Sequence, residues 1–314
     1  MHTIGLDLGG TKIKIGLIRS GQIIEERELD SHSDKGLEDK LPELKEVIDD
    51  LLTSNGVLDF SGIGVSIPGI VDVKEARLLT INDKYNDAVS MDLRLWAWRN
   101  WSKPLFMDND ARCAMVGEWK YGAAQGFDDV VMMTLGTGIG TSAVVGGELM
   151  RGSHFRGGIL GGHISLKYDG LQCNCGNVGC AEAEASSWNL PNIIRSVLPE
   201  SIAEEYVDHD FYQLFLKYRR GDAGAVKVVD HCIMVWSTAL ANLVYAYDPK
   251  IVVIGGGIMK SADIIIPKIK QNLADKGWFD FEQLLIAPAE YVHASALLSA
   301  EYFLNQQEKV EEIC

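Results

Sequence analysis

The sequence predicts an α/β protein of two lobes built on one repeated plan, and three observations carry that prediction. Residues 4–18, I-G-L-D-L-G-G-T-K-I-K-I-G-L-I, read as two short strands around a Gly-Gly turn. Residues 130–145, V-V-M-M-T-L-G-T-G-I-G-T-S-A-V-V, repeat that unit about 130 residues later. The apolar run I-V-V-I ahead of Gly255, Gly256 and Gly257 reads as a buried parallel strand that stops before a helix. A chain of 314 residues is long enough for two lobes, and 47% hydrophobic with 23% charged residues is the composition of an ordinary globular protein.

The first turn carries Asp7, Gly9, Gly10, Thr11 and Lys12. Two glycines beside a hydroxyl and an ammonium let backbone N–H groups approach a phosphate, and a carboxylate at the strand end can orient hydrated Mg²⁺; a plain hairpin tip is the alternative. A third strand at 22–29 precedes an amphipathic helix over 37–54, whose Leu41, Leu44, Val47, Ile48 and Leu51 recur at helical spacing and face a core. Residues 61–72 read as a buried strand ending in Pro68-Gly69, a turn whose exposed backbone suits the lining of a ligand cleft. Asn82 follows in a polar loop, then a helix whose Trp96, Trp98 and Trp101 are expected to pack. A short strand next delivers Asp108, Asn109 and Asp110 to the start of a helix. One of the three suffices as a cap; a carboxylate on such a loop is also placed to take a hydroxyl proton.

The second turn carries Gly136, Thr137, Gly138 and Gly140, and the pairing of two such turns suggests one polyphosphate held between two halves. A glycine-rich loop over 146–162 leads to His163, Cys173, Cys175 and Cys180, spaced H-x9-C-x-C-x4-C. Three thiols and an imidazole suit one tetrahedral Zn²⁺, with a disulfide plus spare thiols as the alternative; four protein ligands leave no position for a reacting water, so such a zinc holds a loop. Glu182 and A-S-S-W are expected to open a helix, and a long helix over 223–247 ends at Asp248-Pro249. Gly255 to Gly257 read as a nucleotide-side wall or as a simple bend, without the G-x-G-x-x-G order of a dinucleotide site. A closing helix over 294–307 precedes an acidic tail ending in Cys314, which has no evident role.

A net charge of −15 and a pI near 4.9 argue against nucleic-acid and anionic-membrane partners and for a small molecule. The opening M-H-T-I-G-L-D-L enters a strand without the regions of a secretory signal, no apolar run of about 18 residues marks a membrane span, and six cysteines without a disulfide framework fit the cytoplasm.

Taken together, D-L-G-G-T-K, D-N-D-A, L-G-T-G-I-G, H-x9-C-x-C-x4-C followed by C-A-E-A-E-A-S, and I-G-G-G resemble the ROK family of bacterial sugar kinases and sugar-responsive repressors over nearly the whole chain. The resemblance implies a ribonuclease-H-like fold of the actin and hexokinase type: a smaller lobe over 1–120 on which the closing helix packs, a larger one over 121–293 with the zinc loop at 163–180, and a site in the cleft between them. It implies ATP with Mg²⁺, structural Zn²⁺, a sugar phosphorylated on the 6-hydroxyl of a hexose or amino sugar, and a homo-oligomer, dimer or tetramer. Asp110 would be the catalytic base and Asn109 would bind the same end of the sugar. Asp7 would assist Mg²⁺, the turns Gly9 to Lys12 and Gly136 to Gly140 would hold phosphates, and Gly255 to Gly257 would flank the adenosine. Gly69, Asn82, His163 and Glu182 match positions lining the sugar pocket. Repressor members carry a winged helix-turn-helix before the first phosphate loop, which here begins at residue 7. Family kinases usually place a glutamate, which contacts hydroxyls near the anomeric end of the sugar, where this chain has Leu160. Two rivals are a sugar sensor without turnover and an actin-like ATPase without a sugar.

Overall fold

The computed structural model describes residues 1–82, 84–274, 281–292 and 294–311; Cys314 lies outside them. Twelve strands and ten α-helices are formed by the described residues. The strands are β1 (Thr3–Leu8), β2 (Lys12–Arg19), β3 (Gln22–Asp30), β4 (Ile63–Ile67), β5 (Ile70–Asp72), β6 (Arg77–Thr80), β7 (Leu105–Asn109), β8 (Val130–Leu135), β9 (Ile139–Val145), β10 (Glu148–Leu149), β11 (Ile251–Gly255) and β12 (Leu285–Pro288). The helices are α1 (Leu41–Ser54), α2 (Leu93–Trp101), α3 (Asp110–Tyr121), α4 (Ala181–Ala185), α5 (Leu190–Val197), α6 (Glu200–Ala203), α7 (Phe211–Arg219), α8 (Ala223–Tyr247), α9 (Ala262–Ala274) and α10 (Ser295–Glu311).

The repeat seen in the sequence is a repeat of topology. One sheet runs β3-β2-β1-β4-β7 and the other β10-β9-β8-β11-β12. In each, the first two strands of the unit pair antiparallel about the glycine turn, and the two later strands add in parallel beside the first. The chain divides into two compact units, one of residues 1–126, 151–157 and 293–314, the other of 127–150 and 158–292. Each buries its own core: Ile4, Leu6, Ile15, Ile48 and Val65 belong to the first, and Val131, Ile194, Trp236, Leu240 and Val252 to the second.

In the first unit α10 lies against β1, β4 and α3, and glycines permit the approach. A β-carbon on Gly64 would come 2.3 Å from that of Ala300, and one on Gly117 would come 2.1 Å from the Ser295 carbonyl oxygen. Two elements depart from expectation. The helix expected from 37 begins at Leu41, after a 3₁₀ turn, because the N–H groups of Leu37 and Glu38 bond to the Asp87 carboxylate. The strand expected to end in Pro68-Gly69 does so, with β4 stopping at Ile67 and the β5–β6 hairpin starting at Ile70, as the absent proline N–H and the Gly69 φ of 104° require. Of the three tryptophans, Trp96 and Trp101 pack edge to face, whereas Trp98 is 60% exposed.

In the second unit α8 is capped at its start by Asp222, whose carboxylate accepts from Ala225 N–H, and stops at Asp248, in the left-handed region ahead of Pro249. It is long and apolar enough to cross a membrane, but 67% of its most apolar window is buried inside the protein, where Val229, Trp236 and Leu240 form the core.

Candidate functional site

In the first unit the local fold gathers Asp7, the turn after it, Gly69, Asn109 and Asp110. Asn109 ends β7 and caps α3, accepting from the N–H groups of Ala111 and Arg112. Its amide N–H₂ then reaches both ways, to the Gly69 carbonyl oxygen and to Asp110 Oδ1, at 2.9 Å each. Gly69 can carry no side chain, since a β-carbon there would come 2.3 Å from the Thr80 carbonyl oxygen. Asn82, exposed, sits in the loop after Thr80 and Ile81 that packs on Gly69. Asp110 retains exposed surface, yet desolvation pushes its carboxyl up, against the N–H of Ala111 and the charge of Lys84. Burial raises Asp7 to about 6, with the Asp110 charge adding to the rise and the Ser66 hydroxyl, donating at 2.7 Å, opposing it. Two carboxyls with raised values, the charge of Asp110 felt at Asp7, form a ready site for cationic or proton-transfer chemistry.

The first turn has its carbonyl oxygens tied back. Tyr85 O–H donates to Gly9, the hydroxyls of Ser31 and Ser33 donate to Gly10, and Ser31 N–H donates to Thr11. What such a turn has left for a ligand is its N–H groups, the donors an anion needs. Lys12 closes the turn at the start of β2. Its ammonium pairs with Glu28 at 3.0 Å and Asp30 at 2.9 Å on β3, while the stem of Lys84 lies against Gly10.

The second turn follows the same logic with other residues. Ser187 and Trp188 N–H groups donate to the carbonyl oxygens of Gly136 and Thr137. A-S-S-W therefore does not extend a helix: α4 stops at Ala185 so that these donors stay free for the turn. Glu182, 8% exposed, accepts from Ile139 N–H at 2.8 Å and from the Trp188 indole at 3.2 Å. A β-carbon on Gly138 would come 2.4 Å from that carboxylate. Gly140 stands in β9 opposite Thr134. Gly255 ends β11 in register with the same threonine, and Gly256 (φ 92°) passes so close to Leu135 that a β-carbon would come 2.2 Å from its carbonyl oxygen. A β-carbon on Gly257 would meet open space.

The ligating atoms of His163, Cys173, Cys175 and Cys180 lie within 4.8 Å of one another. Cys175 Sγ is 3.7 Å from Cys180 Sγ, and His163 Nδ1 is 3.6 Å from Cys173 Sγ. Tetrahedral zinc with bonds of about 2.3 Å to sulfur and about 2.0 Å to nitrogen puts those edges at about 3.8 and about 3.5 Å, within about 0.1 Å of the distances seen, so the residues fit the ion. A disulfide does not describe them, because all four cysteines of this unit, Cys232 included, are free. The loop closes through bridges between Ser165 and Cys180 and between Gln172 and Val178, with Gly179 at φ 67° where any β-carbon would strike the Lys167 carbonyl oxygen. Glu184, nearly fully buried, accepts from Leu171 N–H at 2.6 Å and holds the loop from behind. Leu160 precedes the 3₁₀ turn that carries His163, with its side chain 40% exposed.

Several of these residues escaped the sequence reading. Lys84, Tyr85 and Ser66 follow no pattern there. Arg112, the partner of Asp108, could have been found from the i, i+4 spacing: both are fully buried, 3.2 Å apart, and Arg151 meets the other carboxylate oxygen at 2.8 Å. Arg112 also donates to the carbonyl oxygens of Phe155 and Gly157, so Asp108 anchors the 151–157 segment and is not a site residue.

Two sheets of one topology, each with a glycine turn whose carbonyls are engaged, define a protein of the actin and hexokinase fold. The chain belongs to the ROK family, whose family model matches residues 3–307. A glucokinase of Thermotoga maritima is 32% identical over 283 residues, 88% of this chain and 88% of that protein. A beta-glucoside kinase of Listeria monocytogenes is 28% identical over 99% of this chain and 100% of its own length. The crystal structure of a ROK family glucokinase from Streptomyces griseus in complex with glucose and AMPPNP superposes with a TM-score of 0.76 at 28% identity, covering 98% of this chain and all of that one.

Proposed function

We propose that this ROK-family sugar kinase transfers the terminal phosphoryl group of ATP to the 6-hydroxyl of a hexose, and that the hexose carries a substituent on its anomeric oxygen. Asp110 accepts the hydroxyl proton as the oxygen–phosphorus bond forms and the bond to the ADP oxygen breaks. The amide of Asn109 holds the Asp110 carboxylate and the Gly69 carbonyl in one arrangement, which is the observation that carries the reading. The glycine turns hold phosphates through N–H groups, with Gly255 to Gly257 flanking the adenosine. Asp7 would help to hold the Mg²⁺ that accompanies ATP, which would supply neutralisation of phosphate charge. His163, Cys173, Cys175 and Cys180 would hold Zn²⁺, which would supply rigidity to their loop, and His163, Glu182, Gly69 and Asn82 would be the residues that contact the sugar.

The substituent is supported by Leu160. An alkyl chain accepts no hydrogen bond from a free anomeric hydroxyl, and a hydroxyl buried against it unpaired costs about 1–3 kcal/mol. A glycoside has no such proton. Similarity to a beta-glucoside kinase over the full length points the same way. A coupled assay of ADP release decides, run with glucose, mannose, N-acetylglucosamine, N-acetylmannosamine, methyl β-glucoside and cellobiose. Higher kcat/KM for the glycosides is expected, and Leu160→Glu should move preference toward free glucose. Release of ADP at the same rate with and without every sugar would refute the kinase reading, whereas glucose outperforming the glycosides would refute only the substituent.

A further inference from the structure

Lys84 lies in the loop between β6 and the turn that opens with Asn86, next to Tyr85, which is fully buried and fixed by its hydroxyl to the Gly9 carbonyl oxygen at 2.7 Å. That anchor lays the lysine stem across the first glycine turn. A β-carbon on Gly10 would come 2.5 Å from Lys84 Cε and 2.7 Å from Nζ, so the glycine is what gives the ammonium its place. Among the described residues no carboxylate forms an ion pair with Lys84, although its charge is felt at Asp110. Lys12, the cation the motif itself supplies, is occupied by Glu28 and Asp30. In a chain of net charge −15, an ammonium beside a turn rich in N–H donors and within electrostatic reach of the proton acceptor is placed for a dianionic terminal phosphoryl group.

Resting on the kinase reading, we infer that Lys84 contacts the terminal phosphoryl group of ATP and neutralises the charge on its oxygens while Asp110 takes the proton. Transfer spreads charge over those oxygens, so a fixed cation acts more strongly in the transition state than on bound ATP. The experiment uses the full chain as Lys84→Met and Lys84→Arg, with the best sugar of the panel. Lys84→Met is expected to lower kcat by about 10²-fold with sugar KM changed less than about threefold, as for removal of one transition-state donor. Its affinity for AMPPNP should fall about tenfold more than for ADP, which lacks the terminal group, and Lys84→Arg should restore most of that discrimination. Thermal melting of both variants near that of the parent excludes a merely structural effect. Equal losses for AMPPNP and ADP, or an unchanged kcat in an active enzyme, would overturn the inference alone. A parent protein that binds neither nucleotide would overturn the kinase reading together with it.

Discussion

Asp110 must be ionised to accept a proton, yet its surroundings favour the neutral form. Desolvation raises its value, and the Ala111 N–H, the Lys84 charge and the Asn109 amide hold the rise in check. Activity is therefore expected to fall as pH drops through a value above that of an ordinary aspartate, since the proton acceptor is lost there. Asp110→Asn keeps the shape and loses the acceptor, and should lower kcat by roughly 10² to 10⁴ with nucleotide affinity unchanged; retention of more than about a tenth of kcat in steady-state kinetics would exclude the role. Asp7 carries a different signature. Its folded-state value, about 6, is above the unfolded 3.8, so the stability it contributes is present below about pH 4 and lost as pH rises through 6. Asp7→Asn should then be more stable than the parent above pH 6, by about 1–3 kcal/mol at most, while its activity falls. Urea titrations at pH 4 and pH 7 measure the difference; a parent equally favoured at both would contradict the shift.

At the scale of elements, what the sequence disclosed was periodic or spaced. The strands around both glycine turns, α1, α8 and the zinc loop were legible because alternation, helical recurrence and ligand spacing are local. The interruption after α4 was not, because the donors of Ser187 and Trp188 answer to a turn some fifty residues earlier. Lys84 was hidden for the same reason: its meaning comes from Gly10, more than seventy residues away in the chain. The buried Asp108–Arg112–Arg151 cluster ties β7 and α3 to the 151–157 segment. Arg112→Met leaves Asp108 buried with one cation instead of two and leaves two carbonyls without their donor, so a loss of about 3–5 kcal/mol is expected from chemical denaturation. A loss below about 1 kcal/mol would mean that Arg151 suffices.

At the scale of the whole molecule, the duplicated topology means that one chain maintains two cores. The first collects Ile4, Ile15, Ile48 and Val65, the second Val131, Trp236, Leu240 and Val252, and the zinc ligands belong wholly to the second. A small single domain unfolds as one cooperative event; two units with separate cores have no such obligation. Calorimetry without ligands is expected to give a calorimetric enthalpy larger than the van 't Hoff enthalpy, with two resolvable components. Because a structural metal contributes folding energy only where it binds, Cys175→Ser should abolish bound zinc in elemental analysis and lower the melting temperature of one component. Arg112→Met should lower the other. A single transition with equal enthalpies, shifted as a whole by either substitution, would show that the two cores melt as one.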